Sequence, residues 1–409
     1  PFLYDYSEWL GYAQFFVDCY EEAPKIVNMH WEQLGSKNSQ DFFAPKDEYS
    51  RDNYHVSWSN EFTKFLVKAG SINPNYIWQI GNPKADLLNR KFWKTYISEQ
   101  QFKKSLDIPL ASSVYLFIMS FAQVFNSEAT IRAVEKKGGF INYRNFVRLS
   151  QESLELSIKE IRKFANILSD KNGYILLRPH PATPLSEVKK LVKDIKNIRV
   201  SRNFPLNEVI FNSTGVISWL STGTIDSYIF NKPTVILRPK EIPEEFDLDF
   251  LKGFNFVSNA QEINDFMRKK NNYLKNEDLL KKTVGRIYGK LDGTNCLSLA
   301  QRLYELDKDL DKNPSNYRIK NWGVYYNTLL KTISKDVPKN FLARYFPNLL
   351  PDHLKGIFDD RVYMGMIRKL EKKYDNVVDS ILNDNAIMDK AQLLESEIEK
   401  VIYNESYEF

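Results

Sequence analysis

The sequence predicts an α/β protein of two Rossmann-like halves joined by a hinge, with a helical C-terminal extension. Three observations predict it. Short apolar strands alternate with helical patterns from residue 25 to about residue 110. A longer series of the same kind follows Pro109. From about residue 260 the texture turns to helix rich in Lys, Asn and Glu. Strands spaced by helices form parallel sheets with the helices on their faces. A chain of 409 residues is also too long for one ordinary core, so roughly two or three domains are expected. The boundaries read as 1–110, 111–300 and 301–409.

The elements follow in order. Residues 1–22 are aromatic-rich and helical in pattern. KIVNMHWE (25–32) and YHVSWS (54–59) read as strands. NEFTKFLVKAG (60–70) reads as a helix ending on Gly70 as its cap. YIWQIGNP (76–83) is a strand entering a Gly-Asn-Pro turn. Residues 90–110 are polar and helical. VYLFIMS (114–120) opens the second series. A helix over 150–170, the strand YILLR (174–178), a helix over 186–196 and the strand IRVS (198–201) come next. LNEVIFNS is a short helix, GVISWLS (215–221) a strand, TGTIDSYIFN a helix start and PTVILRP a strand. GKLDGTN (289–295) is a turn, and LDKDLDKNPSN (306–316) reads as a linker.

Composition narrows the function. Hydrophobic residues at 43% are enough for globular packing, and aromatics at 14% argue against disorder. A net charge of +5 suits an anionic substrate or an anionic membrane surface and is too small to argue for nucleic acid. Cys19 and Cys296 make no metal or disulfide pattern, so a cytoplasmic location is expected. No signal peptide is read. The longest apolar run, Val114–Ala122, is about half the ~20 residues of a membrane span.

Open parallel sheets bind ligands beyond the carboxyl ends of their strands, so strand exits hold the candidate residues. At the first exit, prolines bracket His180 in Arg178-Pro179-His180-Pro181. Proline stiffens the loop and biases its neighbours to extended geometry. Arg178 and His180 there suit an anion, or Arg178 pairs with a carboxylate and His180 caps the loop. At the second, Ser221, Thr222 and Gly223 open a helix and offer hydroxyls and close backbone approach. Asp226 in its first turn either offsets the helix dipole or accepts a hydrogen bond from a ribose diol. At the third, His30 and Glu32 share one face if the strand continues, and would serve as general base or acid. The alternative is a half-buried His and a surface Glu. At the fourth, Asn82 and Asp86 follow the turn at Gly81, where a structural cap is the simpler role. No P-loop, GxGxxG, HExxH, GxSxG or zinc spacing occurs.

In order, GNP-x-x-D, R-P-H-P, S-T-G-T-x-D with a following N-K-P, and D-G resemble bacterial surface-carbohydrate glycosyltransferases of the GT-B type. These are related to the Kdo transferases of capsule and lipopolysaccharide synthesis. Polyol-phosphate transferases of teichoic acid synthesis share a cousin pattern. The resemblance spans roughly residues 25–300. It implies two Rossmann-like domains facing a cleft, with the nucleotide held by the second. His180 would then contact the donor phosphate, with Ser221, Thr222 and Thr224 holding it. Asp226 would stand where relatives often have Glu near the ribose, one methylene shorter. Relatives often carry His-Gly near His30; here the run is His30-Trp31-Glu32 with Gly35 later, so either His30 or Glu32 would inherit the catalytic task.

The resemblance further implies a nucleotide-sugar co-substrate, no metal and no other cofactor. A CMP-linked acidic sugar such as Kdo is the expected donor, with UDP- and GDP-sugars open. The acceptor would be a glycan or lipid-linked glycan of a surface polysaccharide or lipopolysaccharide, with retaining and inverting outcomes both open. A rival is a CDP-polyol-dependent transferase, whose relatives show Asp-Tyr-Ser-Ser where this chain has Ser-Thr-Gly-Thr. Another is a non-catalytic scaffold. The stretch 251–290 holds nine Lys/Arg against four Asp/Glu and reads as a basic helical face, either solvated or resting on the anionic inner leaflet.

Overall fold

A computed structural model describes residues 2–3, 25–30, 33, 53–137, 140–268, 274–312 and 321–323. Two parallel sheets organise it. β1 (Phe2–Leu3), β2 (Val27–Asn28), β3 (Tyr54–Ser57) and β4 (Ile77–Gln79) make the first, in that spatial order. Helix α1 (Asn60–Gly70) lies between β3 and β4; the Ser59 hydroxyl accepts the Phe62 N–H at its start. The expected cap at Gly70 is corrected. Gly70 is buried inside the helix, and Ser71 takes the left-handed conformation at φ 54°.

The strand expected over 25–32 is also shorter. β2 stops at Asn28, and His30 sits at φ +46°. That backbone ends the regular pleat at His30. Glu32 itself lies outside the described residues.

Two 3-10 helices, Pro83–Leu88 and Arg90–Thr95, and α2 (Glu99–Ser105) lead out of the first sheet. This segment is tied to the second half. Asn212 Nδ2 donates to the Ile97 carbonyl (3.1 Å), and Arg199 donates to the carbonyls of Leu106 and Asp107.

The second sheet begins with β5 (Ser113–Met119), followed by α3 (Glu128–Lys137) and α4 (Tyr143–Ser169). Then come β6 (Gly173–Pro179), α5 (Leu185–Leu191), β7 (Ile198–Val200), α6 (Leu206–Phe211), β8 (Gly215–Ser218), α7 (Gly223–Ile229), β9 (Thr234–Leu237) and β10 (Asn255–Val257). All six strands are parallel, in the order β10-β9-β8-β5-β6-β7. Counted from β5, that order is 3-2-1-4-5-6, the doubly wound dinucleotide-fold arrangement, whose direction of winding reverses between β5 and β8. Every residue of β8 and β9 is buried, as expected of strands covered on both faces. α4 buries Leu154, Ile158, Ile161, Ala165 and Leu168 at helical spacing. Each such Leu or Ile contributes about 1.5–3 kcal/mol by leaving water.

The helices α8 (Ala260–Arg268), α9 (Glu277–Tyr288) and α10 (Asn295–Lys312) follow, and α10 packs against the 3-10 helix Pro83–Leu88 of the first half. Two expectations change here. The stretch 251–290 is not helical throughout, because β10 adds to the edge of β9. The linker expected over 306–316 is helix as far as Lys312; residues 313–316 lie outside the described set. Among the described residues no helix is long and apolar enough to cross a membrane.

Candidate functional site

The two proline- and glycine-marked loops leave the same edge of the second sheet. β6 and β8 flank β5, and parallel strands end together. Two strand spacings put their exits roughly 10 Å apart. Pro179 closes β6 because it has no N–H for the ladder. The His180 N–H donates to the Met119 carbonyl at 3.0 Å, which ties this loop to the exit of β5. The Thr183 N–H donates back to the His180 carbonyl at 2.8 Å. His180 is exposed at this rim. Its Nδ1 accepts the Ala182 N–H at 3.1 Å, so the neutral ring carries its proton on Nε2. Desolvation within the loop, then the positive charge of Arg202, lowers its pKa. Arg178 is half-buried on β6, opposite Ile118 of β5.

The turn after β8 carries Ser221, Thr222 and Gly223. Ser221 Oγ accepts the Gly223 N–H at 3.2 Å, and no donation by its hydroxyl is seen among the described residues. Thr222 is half-buried and makes no side-chain cap on α7. Thr224 is fully buried, and its hydroxyl donates to the Ser221 carbonyl at 2.8 Å. It shapes the turn from within. Gly223 is tightly packed: a Cβ there would lie 2.8 Å from Leu206 Cδ2 and 3.2 Å from Ile118 Cδ1, so those side chains would have to move. Below the turn, Trp219 stacks on Phe121 with ring centroids 4.3 Å apart. Ser218 Oγ and Trp219 Nε1, both buried, have no hydrogen-bond partner among the described residues.

Asp226 faces the other half. Tyr288, at the end of α9, donates its hydroxyl to Asp226 Oδ1 at 2.6 Å. The Tyr288 ring meets Trp58, just past β3, edge to face. Desolvation raises the Asp226 pKa to about 6, against the opposing pull of the Tyr288 hydroxyl and the Lys84 charge. Lys84 belongs to the first half, so both halves contribute to this cluster.

Asn82 and Asp86 are both buried and serve the junction. Asn82 Oδ1 accepts the Lys84 N–H, and its N–H donates to the Tyr288 carbonyl. Asn295 Nδ2 donates to the Asn82 carbonyl at 3.1 Å. Asp86 accepts backbone N–H groups at the start of α10. The expected cap is therefore present, but on a helix far along the chain. Gly81 at φ +86° is crossed so closely by Asn295 that a Cβ would lie 2.1 Å from its Oδ1. The GNP-x-x-D and D-G-T-N stretches are thus one interlocked unit.

In the first half, His30 is 3% exposed and its Nε2 lies 2.8 Å from His55 Nδ1. The His30 N–H donates to Asn28 Oδ1, which stabilises the left-handed backbone. Burial, then His55, holds the His30 pKa well below the ordinary histidine value. His30 is thus a neutral, paired imidazole.

Two cavities lie away from these residues. One of about 420 Å³, lined by Trp93, Tyr96, Phe211 and Lys232, sits at the amino ends of β8 and β9. Another of about 310 Å³ lies between α4 and the loop after β9. Among the described residues no three His, Cys, Asp or Glu side chains gather as a metal site requires.

Sequence reasoning missed Arg202, Tyr288, Lys84 and His55. Arg202 carried a faint signal, as the second residue past a strand at the same sheet edge. The other three carried none.

No protein-family model matches the chain, and no curated protein sequence matches it. Solved structures align with it at low identity. A variant of the wall teichoic acid polymerase TagF aligns over 72% of this chain and 70% of that one, at 14% identity and a TM-score of 0.48. The UDP-GlcNAc 2-epimerase from Methanocaldococcus jannaschii covers 68% of this chain and 70% of its own, at 15% identity and a TM-score of 0.38. These likenesses concern the path of the chain and carry no chemistry.

Proposed function

We propose that this chain is a GT-B-type glycosyltransferase that moves a sugar from a nucleotide donor onto a bacterial surface glycan. One observation carries the reading. The R-P-H-P loop and the S-T-G-T turn leave strands on either side of β5, where the strand order reverses and where such sheets bind nucleotides.

The donor phosphate is met by His180 Nε2–H, the Ser221 hydroxyl and the Thr222 hydroxyl, with Arg178 and Arg202 supplying positive charge nearby. Charge grows on that phosphate as the sugar departs. Donors fixed beforehand stabilise such charge by about 3 kcal/mol each when well aimed. Asp226 keeps Oδ2 for a ribose hydroxyl while Tyr288 holds Oδ1. Asn82 and Asp86 hold the cleft together and do not touch the donor. The base that takes the acceptor proton comes from the first half, at His30 or Glu32. Burial, the contact with His55 and a strongly lowered pKa weigh against His30 in that task.

In domain terms, 111–300 holds the nucleotide, 1–110 presents the acceptor, and 301–409 is an extension. The finer assignment is a CMP-linked acidic sugar of the Kdo type, with no metal. Contact of 251–290 with an anionic membrane belongs to the same reading. Ion pairs already occupy Lys252, Lys281 and Arg286, which weakens that contact.

The test is a panel of CMP, CDP, UDP and GDP followed by product analysis. Nucleotide binding with sugar transfer is expected. Phosphate entering the product with the transferred group would instead mean a CDP-polyol enzyme. Binding of no nucleotide would mean a scaffold.

A further inference from the structure

We propose that Arg202 is a positioning residue that fixes both the shape of the R-P-H-P loop and the tautomer of His180. The inference rests on the proposed role of that loop but stands on its own geometry. Arg202 follows β7, the edge strand beside β6, and is 6% exposed. Its guanidinium Nη1 donates to the carbonyls of both Pro181 (2.5 Å) and His180 (3.3 Å). Two consecutive carbonyls are therefore turned toward one buried cation, while the next N–H, that of Ala182, is left to hold His180 Nδ1. A peptide path with its carbonyls on one side and an N–H on the imidazole leaves Nε2–H as the outward donor. Nη1 alone serves both carbonyls, its two N–H groups held in the guanidinium plane, whereas a lysine ammonium would meet them from a freely rotating head.

The charge acts as well. Among the described residues, Arg202 is the one charged group that shifts His180, favouring its neutral form. The exits of β5 and β8 bring Met119, Ser120, Ser221 and Thr222, none of which titrates in this range. From α5, Glu187 is ion-paired with Lys190 at 2.7 Å. Arg178, on β6, is not among the groups that shift it. Desolvation in the loop and then the Arg202 charge together favour a neutral ring, which gives a hydrogen bond to an anion without a full countercharge. It binds the leaving phosphate less tightly in the ground state and leaves room for gain as charge develops.

Nitrogen NMR of the imidazoles tests this in the ligand-free protein, which has four histidines to resolve. In the wild type the His180 ring is expected as the Nε2–H tautomer with a midpoint below that of an exposed histidine. An Nδ1–H tautomer or an ordinary midpoint would overturn the proposal with no variant needed. In Arg202→Gln the midpoint moves upward; in Arg202→Lys it stays low, but CMP binding weakens about tenfold because the planar head that fixes the two carbonyls is gone. A midpoint unmoved in folded Arg202→Gln overturns it. Failure of the wild type to bind any nucleotide removes the transferase reading and leaves the NMR result to decide the role of Arg202.

Discussion

Asp86 closes the start of a helix more than two hundred residues away: Oδ1 accepts the Asn295 N–H at 3.1 Å and Oδ2 the Cys296 N–H at 2.7 Å. The first N–H groups of α10 have no partner within the helix, and a carboxylate satisfies them while opposing the helix dipole. One side chain thereby fastens the returning chain to the first half.

Asp86→Ala should therefore lower stability by about 1–3 kcal/mol, because a buried N–H, that of Asn295, and the half-buried N–H of Cys296 lose their acceptor. Urea denaturation with an unchanged midpoint would show that the junction is held elsewhere.

The neighbouring thiol gives a chemical readout of the same contact. Burial, then the Asp86 carboxylate, pushes the Cys296 thiol up to about 11. Thiolate is the reactive form, so alkylation of Cys296 at pH 7.5 should run about a hundredfold slower than for an ordinary cysteine. Asp86→Asn should speed it. Peptide mass mapping measures both rates, and equal rates would contradict the arrangement.

Asp226 carries a desolvation cost. Its folded pKa, about 6, lies above the ordinary aspartate value of 3.8. The folded state therefore holds an extra proton between these values, and stability declines as pH rises from about 4 to about 6. Asp226→Asn removes the desolvated charge. It should melt higher than the wild type at pH 7.5, and the difference should vanish near pH 4. Nucleotide binding should weaken at the same time. A variant that melts lower at pH 7.5 would mean the carboxylate is needed for the fold.

His30 predicts the opposite slope. Its folded pKa is depressed, so the unfolded chain takes up a proton first as pH falls below about 6.5, and stability drops. His30→Gln should flatten that drop in thermal melts between pH 7 and 5. An unchanged slope would place the acid sensitivity at other groups.

Much of the second half was legible in the sequence. β5 and β6 are continuous apolar runs because helices cover both faces, and α4 shows its buried stripe over 27 residues. β2 and β10, of two and three residues, are too short to carry a period. The loop at His180 and the turn at Ser221 were legible because proline, glycine and serine mark them locally. Their partners were not. Tyr288 reaches Asp226 across 62 positions and His55 reaches His30 across 25, and only the folded chain makes those contacts. Thr224 illustrates the converse: its hydroxyl matched the motif, yet the turn uses it internally.

The account depends on a phosphate-binding edge formed by two loops on either side of β5. Calorimetric titration of CMP and CDP into the wild type and His180→Ala tests it most directly. The account predicts saturable binding by the wild type and at least tenfold weaker binding by a variant that melts at the same temperature. Equal affinity in the two proteins, or heat of dilution alone in the wild type, would contradict it.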